Sequence, residues 1–310
     1  MFPAFLAAFF FALNATCAQH SVGVAGPLRA NLGRLAIAVV ILGLFAHTIG
    51  HGFESQGTSW FLLSGVIGLG LGDLGVYGAL PLLGSRLTVL MTQCLAAPIA
   101  ALGEWLWLGT KLTAAQLTWG GVVLAGVAYA LMPSQADPPR VRVRPAGFAF
   151  GLVAAIGQGI GAALISRKGV MVAAAAGESV ANANFGLTVA YQRILAGIIF
   201  TALAIGLLKV FGLMPPAPQA SAKARRAGLW WMMANGLVGP VAGVGCYQWA
   251  LSTTPSGIVL PIAATTPLLS IPIAYWLEGD RPTRRSIVGG LIAVAGCIAL
   301  TWVSAGQGAR

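Results

Sequence analysis

The sequence predicts an all-α membrane protein of ten transmembrane helices, built as two inverted five-helix repeats. Three observations carry that prediction. Of 310 residues, 57% are hydrophobic and only 8% charged, with a mean hydropathy of +0.84; a soluble domain needs far more charge to cover its surface. The apolar residues fall into ten runs of about twenty, the length that spans a bilayer core. Finally, the chain matches itself without a gap at an offset of 170 residues, read from Tyr77 and Tyr247. Gly75 falls on Gly245, Val89-Leu90 on Val259-Leu260, Gly109 on Gly279, Thr113 on Thr283, and Ala125-Gly126 on Ala295-Gly296. Similarity at a fixed offset means two copies of one unit.

The runs are 2–18, 27–46, 60–80, 87–108, 113–132, 146–166, 185–211, 228–251, 257–277 and 286–303. The first lacks a basic stretch ahead of it and has a place in the repeat, so it reads as a retained helix rather than a leader. It carries Asn14, the second Arg34, the third Asp73 and Tyr77, and the fourth Gln93 and Pro98. The fifth closes the first repeat, 1–132, and a basic linker follows at 133–145 with Arg140, Arg142 and Arg144. The second repeat, 146–310, opens with the sixth run and Gln158. Arg193 lies in the seventh, Asn235, Tyr247 and Trp249 in the eighth, Pro267 and Pro272 in the ninth. The chain has 42 glycines and 17 prolines, which suits close-packed, locally broken membrane helices. Gly68-xxx-Gly72, Gly157-xxx-Gly161 and Gly239-xxx-Gly243 predict close approaches of the third, sixth and eighth helices.

Five is an odd number, so the second repeat must enter the bilayer from the opposite side. That inverted arrangement is one used by secondary transporters, with the substrate site near the midplane between the repeats. Connections after odd-numbered helices carry twelve Lys and Arg residues, from Arg29 to Arg285, whereas the other side has four, Lys111, Arg167, Lys168 and Arg310. The bias predicts odd connections in the cytoplasm and both termini outside.

The net charge of +11 sits in short connections with no basic face interleaved with aromatics, so anionic headgroups and orientation explain it better than nucleic acid. Cys17, Cys94, Cys246 and Cys297 all lie inside apolar runs and form no CxxC, which reads as small buried hydrophobes. His47, His51 and Glu54 have ligand-like spacing, but Gly50, Gly52 and Gly57 make the stretch a loop, so no metal is expected. Gly70-x-Gly72-x-x-Gly75 falls within a membrane run and not in the strand–turn–helix setting that dinucleotide binding needs, so no cofactor is expected. Without a nucleophile–base set or paired carboxylates, enzymatic activity has no residues to run on.

A transport site needs polar groups where the bilayer makes them costly. Asp73 either titrates or binds an ammonium group, or else meets water or an arginine near its helix end. Glu104 is expected at the interface. The amides Asn14, Gln93, Gln158 and Asn235 either line a central cavity or bond a neighbouring helix. Tyr77 and Tyr247, with Trp249, either stack on a substrate or belong to the aromatic belt, to which Trp105, Trp107, Trp230, Trp231, Tyr275 and Trp276 are assigned. Arg34 and Arg193 snorkel, bind a carboxylate, or close a gate by pairing. Pro98, Pro267 and Pro272 bend the fourth and ninth helices, either as moving parts or as fixed kinks.

Several motifs recur in each half. Arg34-Leu-Ala-Ile-Ala pairs with Arg193-Ile-Leu-Ala-Gly, and Leu108-Gly109-Thr110-Lys111-Leu112-Thr113 with Glu278-Gly279-Asp280-Arg281-Pro282-Thr283. Gly120-Gly121 with Ala125-Gly126-Val127 pairs with Gly289-Gly290 and Ala295-Gly296-Cys297. In these the chain resembles the drug/metabolite transporter (DMT) superfamily, specifically its EamA-type ten-helix exporters. Thr110 and Asp280 depart from the family's Gly-Glu turn. Length and aromatic content are most similar to YddG-like amino-acid exporters. The resemblance implies a monomeric carrier in the inner (plasma) membrane, exporting small metabolites, amino acids first among them, by alternating access. A multidrug or nucleotide-sugar carrier of the same fold is the alternative, and a lipid-modifying membrane enzyme a remote one. The implied partners are a small-molecule substrate and the lipid bilayer.

Overall fold

The computed structural model describes all residues except 133–141, 215, 217, 219–220, 279–282 and 309–310, and only the backbone of 85–86, 271, 274–278 and 306–308. Arg140, the Gly279-Asp280 turn, Arg310 and the side chains of Tyr275, Trp276 and Glu278 therefore lie outside the described residues.

Nine helices among the described residues are long and apolar enough to cross a bilayer. They are α1 (Phe2–Ala25), α2 (Pro27–Thr48), α3 (Thr58–Gly84), α4 (Leu87–Leu108), α5 (Ala114–Leu131), α6 (Pro145–Ala175), α7 (Ala183–Val210), α8 (Ala222–Thr253) and α10 (Arg284–Ala305). Between the last two, α9 is made of two shorter pieces, Ser256–Ala263 and Thr266–Glu278. No strand occurs among the described residues. In a bilayer, helices satisfy every backbone group internally, and this chain is an all-α membrane protein.

The apolar runs locate every helix and misjudge four of their ends or interiors. The first helix continues to Ala25 and stops at Gly26, whose φ of 77° favours glycine. The sixth extends nine residues past the run's end at 166, through Arg167 and Lys168, to Ala175. The eighth begins at Ala222, where the Ser221 hydroxyl caps it by accepting from the Ala224 amide at 3.2 Å. In the ninth, the expected proline bend is an interruption at Ala264 and Thr265. There the Thr265 hydroxyl donates to the Ile262 carbonyl at 2.7 Å and the Thr266 hydroxyl to Ala263 at 2.6 Å, so carbonyls freed by the break keep partners. Pro267, second in the next piece, has no amide to leave unsatisfied.

Glycines bring the repeats together. On α3 and α6, a methyl group at Gly72 would meet the Gly157 Cα at 3.3 Å, and one at Gly161 the Gly68 amide at 2.6 Å. In the pseudo-symmetric pair α1 and α8, Gly239 abuts Asn14 and Gly243 abuts Phe11. Widened i→i+5 turns occur at equivalent places in α3 (Val66–Gly72) and α8 (Leu237–Val244), and also in α6 (Gly157–Ile165). Such turns loosen the backbone ladder and gather at functional sites.

The helices alternate in direction, so each end of the bundle has a fixed membership. The starts of α2, α6, α8 and α10 share one end, which carries Arg29, Arg144, Arg225 and Arg284 and is called the basic end here. The starts of α3, α5, α7 and α9 share the far end.

Candidate functional site

Arg34 lies two turns into α2, roughly 10 Å from the basic end at 1.5 Å per residue. Its Nη2 is 3.1 Å from Asp73 Oδ2 on α3, and its Nε donates to Asn31 Oδ1 at 2.7 Å. One turn after Asp73, Tyr77 lies close enough to the same guanidinium to interact with it electrostatically. Protein surrounds the ion pair densely, yet the Arg34 and Asp73 side chains keep 18% and 20% of their surface accessible. That combination describes the wall of a deep cleft rather than an outer face.

The second repeat holds a related but sealed group. Arg193 on α7, about 15 Å from the far end by helical rise, is 1% exposed. Its Nε and Nη1 have no hydrogen-bond partner, and neither has the hydroxyl of buried Tyr247 on α8. Arg193 is close enough to both Tyr247 and Asp73 to interact with their charges. From basic end to far end the order is Tyr77, Arg34, Asp73, Arg193, Tyr247: a polar ladder between the repeats. The 170-residue offset that pairs the tyrosines places Gly243 opposite Asp73, so Arg193 has no acid of its own repeat at the equivalent position.

The remaining sequence candidates take varied places. Asn14 is half-buried against Gly239, its Oδ1 without a partner. Asn235 is buried and donates to Ser21 Oγ at 3.0 Å, tying α8 to α1. Trp249 is half-buried and presses its backbone and Cβ against Gly186 of α7. Gln93 and Gln158 are half-buried on α4 and α6, Pro98 is exposed on α4, and Pro272 is exposed on α9. Trp105, Trp107 and Trp230 present 56%, 48% and 66% of their surface outward, as belt residues do.

A second ion pair joins the far ends. Glu104 Oε1 on α4 lies 3.5 Å from Arg167 Nε on α6 and accepts from the Ser256 amide, the first residue of α9, at 3.0 Å. Arg167 Nη1 donates to the Leu251 carbonyl in the last turn of α8 at 2.6 Å. This overturns one expectation: Arg167 is not in a connection but inside α6. Glu104, near the end of α4, is 1% exposed and so enclosed by protein there. The charges neutralise each other and satisfy a helix N-terminus and a helix C-terminus, which lets α6 run on past them. Nothing in the local sequence links residues 63 positions apart, so run-counting has no signal for the pair. Among the described residues, no group of three or more His, Cys, Asp and Glu could hold a metal ion.

The profile of the EamA-like transporter family matches residues 1–132 and again 147–302. The chain belongs to the EamA-like transporter family. One solved crystal structure is similar at 16% identity with a TM-score of 0.73, covering 97% of this chain and 96% of that one. That likeness concerns the fold alone. No curated protein matches the sequence. Membership makes the protein a membrane transporter of the DMT type, and the polar ladder of this EamA-like chain lies between its two matched segments.

Proposed function

We propose that the protein exports small metabolites, amino acids including aromatic ones first among them, by alternating access to the cleft at the Arg34–Asp73 pair. The observation that carries this reading is the ladder itself: a carboxylate paired with one guanidinium and near a second, with a phenol beside each arginine. Charged side chains inside a membrane mark substrate pathways. A zwitterion is complementary to such a set, since Asp73 suits an ammonium, the arginines a carboxylate and the tyrosines an aromatic ring. The surplus of positive charge disfavours cationic drugs. Asn14, Gln93, Gln158, Asn235 and Trp249 complete the proposed substrate-binding set around Asp73, Tyr77 and Tyr247. Arg34, Arg193, Pro98, Pro267 and Pro272 form the proposed gating set. The YddG-like subgroup, a monomer, and an inner (plasma) membrane setting with the basic end cytoplasmic belong to the same reading.

The test is uptake of a radiolabelled amino-acid panel into proteoliposomes, with and without a pH gradient. Saturable uptake of threonine, methionine or phenylalanine without the gradient supports an amino-acid uniporter. Uptake only with the gradient, lost in Asp73→Asn, makes the carrier proton-coupled. Uptake of nucleotide sugars but no amino acid would replace the substrate class and keep the carrier.

A further inference from the structure

The charges inside the bundle do not balance, and the imbalance has a location. Arg34 has Asp73 at 3.1 Å, Asn31 at 2.7 Å and Tyr77 within reach. Arg193 is enclosed at 1% exposure with two of its guanidinium nitrogens unpartnered. Asp73 pairs with Arg34 and makes no ion pair with Arg193 among the described residues, so Arg193 is a positive charge in excess. A buried guanidinium without partners is among the most unfavourable arrangements a membrane interior can hold, and such groups persist where an anion completes them. Across from Arg193, the Tyr247 hydroxyl is also buried and unpartnered, and the two groups interact electrostatically without a hydrogen bond between them. Two buried, unpartnered hydrogen-bonding groups near each other, one of them cationic, suit an acceptor bearing negative charge.

We infer that Arg193 and Tyr247 form a carboxylate subsite, filled by the carboxylate of the carried molecule and neutralising the excess charge. Arg193 donates in fork geometry and the Tyr247 hydroxyl adds a third donor. Asp73 stands next along the ladder, so the ammonium of an α-amino acid falls on it while the carboxylate stays on Arg193. This rests on the carrier reading and sharpens it: the obligatory group is the carboxylate, whatever side chain follows. The subsite lies on the second repeat because that repeat lacks an acid at Gly243.

The test is ligand-induced thermal stabilisation of the purified full chain in detergent, with four probes that share one ring. L-Phenylalanine has both charges, 3-phenylpropionate only the carboxylate, phenethylamine only the ammonium, and L-phenylalaninamide has the carboxylate masked; inorganic phosphate is run beside them. The first two are expected to stabilise the wild type and the amine and amide are not. Arg193→Gln is expected to weaken the response to 3-phenylpropionate roughly 10- to 100-fold, with Arg193→Lys recovering part of it. Tyr247→Phe, which removes only the hydroxyl, keeps the test valid if Arg193 variants misfold; it is expected to weaken binding several-fold. Equal stabilisation by the amine or amide, stabilisation by phosphate alone, or no response to any probe overturns the subsite. Uptake of phenylalanine that is insensitive to Tyr247→Phe and matched by uptake of the amide overturns the subsite and leaves the carrier. Arg193-dependent binding of 3-phenylpropionate with no amino-acid uptake leaves the subsite and overturns the amino-acid reading.

Discussion

The two interhelical ion pairs are built to opposite specifications. Glu104 and Arg167 are shut in at the far end, with Glu104 Oε1 also serving the start of α9 and Arg167 Nη1 the end of α8, while Glu104 Oε2 is buried without a hydrogen-bond partner. Arg34 and Asp73 keep about a fifth of each side chain open at 18% and 20%, and a second arginine, Arg193, lies within electrostatic reach of the carboxylate. The first pair closes on itself and completes two helix termini; the second leaves charge over for something else to complete. Breaking an enclosed pair strands a charge, at a cost of about 3–5 kcal/mol, as large as the gap that separates states in a working conformational equilibrium. On the proposed carrier reading, the far-end pair is a bolt that holds α4, α6, α8 and α9 together, and the open pair is the part proposed to meet substrate.

The largest expected effect comes from breaking the bolt on one side. Arg167→Met leaves Glu104 buried and alone and is expected to destabilise the fold by about 3–5 kcal/mol, read as a lowered melting temperature in detergent. Glu104→Gln with Arg167→Met removes both charges and is expected to restore most of that loss. If the double variant melts no higher than the single, the pair is not what holds the far end. Next comes the open pair. Asp73→Asn is expected to abolish uptake while costing about 1–3 kcal/mol of stability, because solvent in the cleft already reaches the site. A melting drop as large as that of Arg167→Met would erase the distinction between the pairs. Smallest is Asn235→Ala, which removes one interhelical hydrogen bond to Ser21 and is expected to cost about 0.6 kcal/mol by melting. Complete loss of uptake in Asn235→Ala, with the fold intact, would instead place this amide on the substrate path.

Much of this was legible in the sequence because the bilayer narrows the choices. A run of about twenty apolar residues has to be a helix, and a gap-free offset between Tyr77 and Tyr247 has to be a repeat. The small-residue spacings at Gly68, Gly72, Gly157 and Gly161 marked the third and sixth helices for close approach, and the structure packs them on each other there. Arg34, Asp73 and Tyr77 were each visible as polar residues in costly places. Their conjunction was less so, since Arg34 and Asp73 are 39 positions apart and α2 packs mainly on α7 and α8, so the long arginine side chain makes the reach to α3. Arg167 and Lys168 misled because a charge in sequence looks like the edge of a membrane run. Arg167 finds its partner on a different repeat, and local pattern carries no trace of it. The break in α9 was hidden for a related reason: Pro267 announces a disturbance, but threonine hydroxyls decide that it is an interruption rather than a bend.

The decisive measurement compares the two ion pairs in one transport assay. Asp73→Asn and the Glu104→Gln/Arg167→Met double variant are reconstituted side by side, normalised for folded protein, and assayed for uptake of the panel member the wild type carries best. Uptake near wild type in the double variant and none in Asp73→Asn is the expected result. Wild-type uptake in Asp73→Asn with loss in the double variant would contradict it, and would move the substrate path from the open pair to the sealed one.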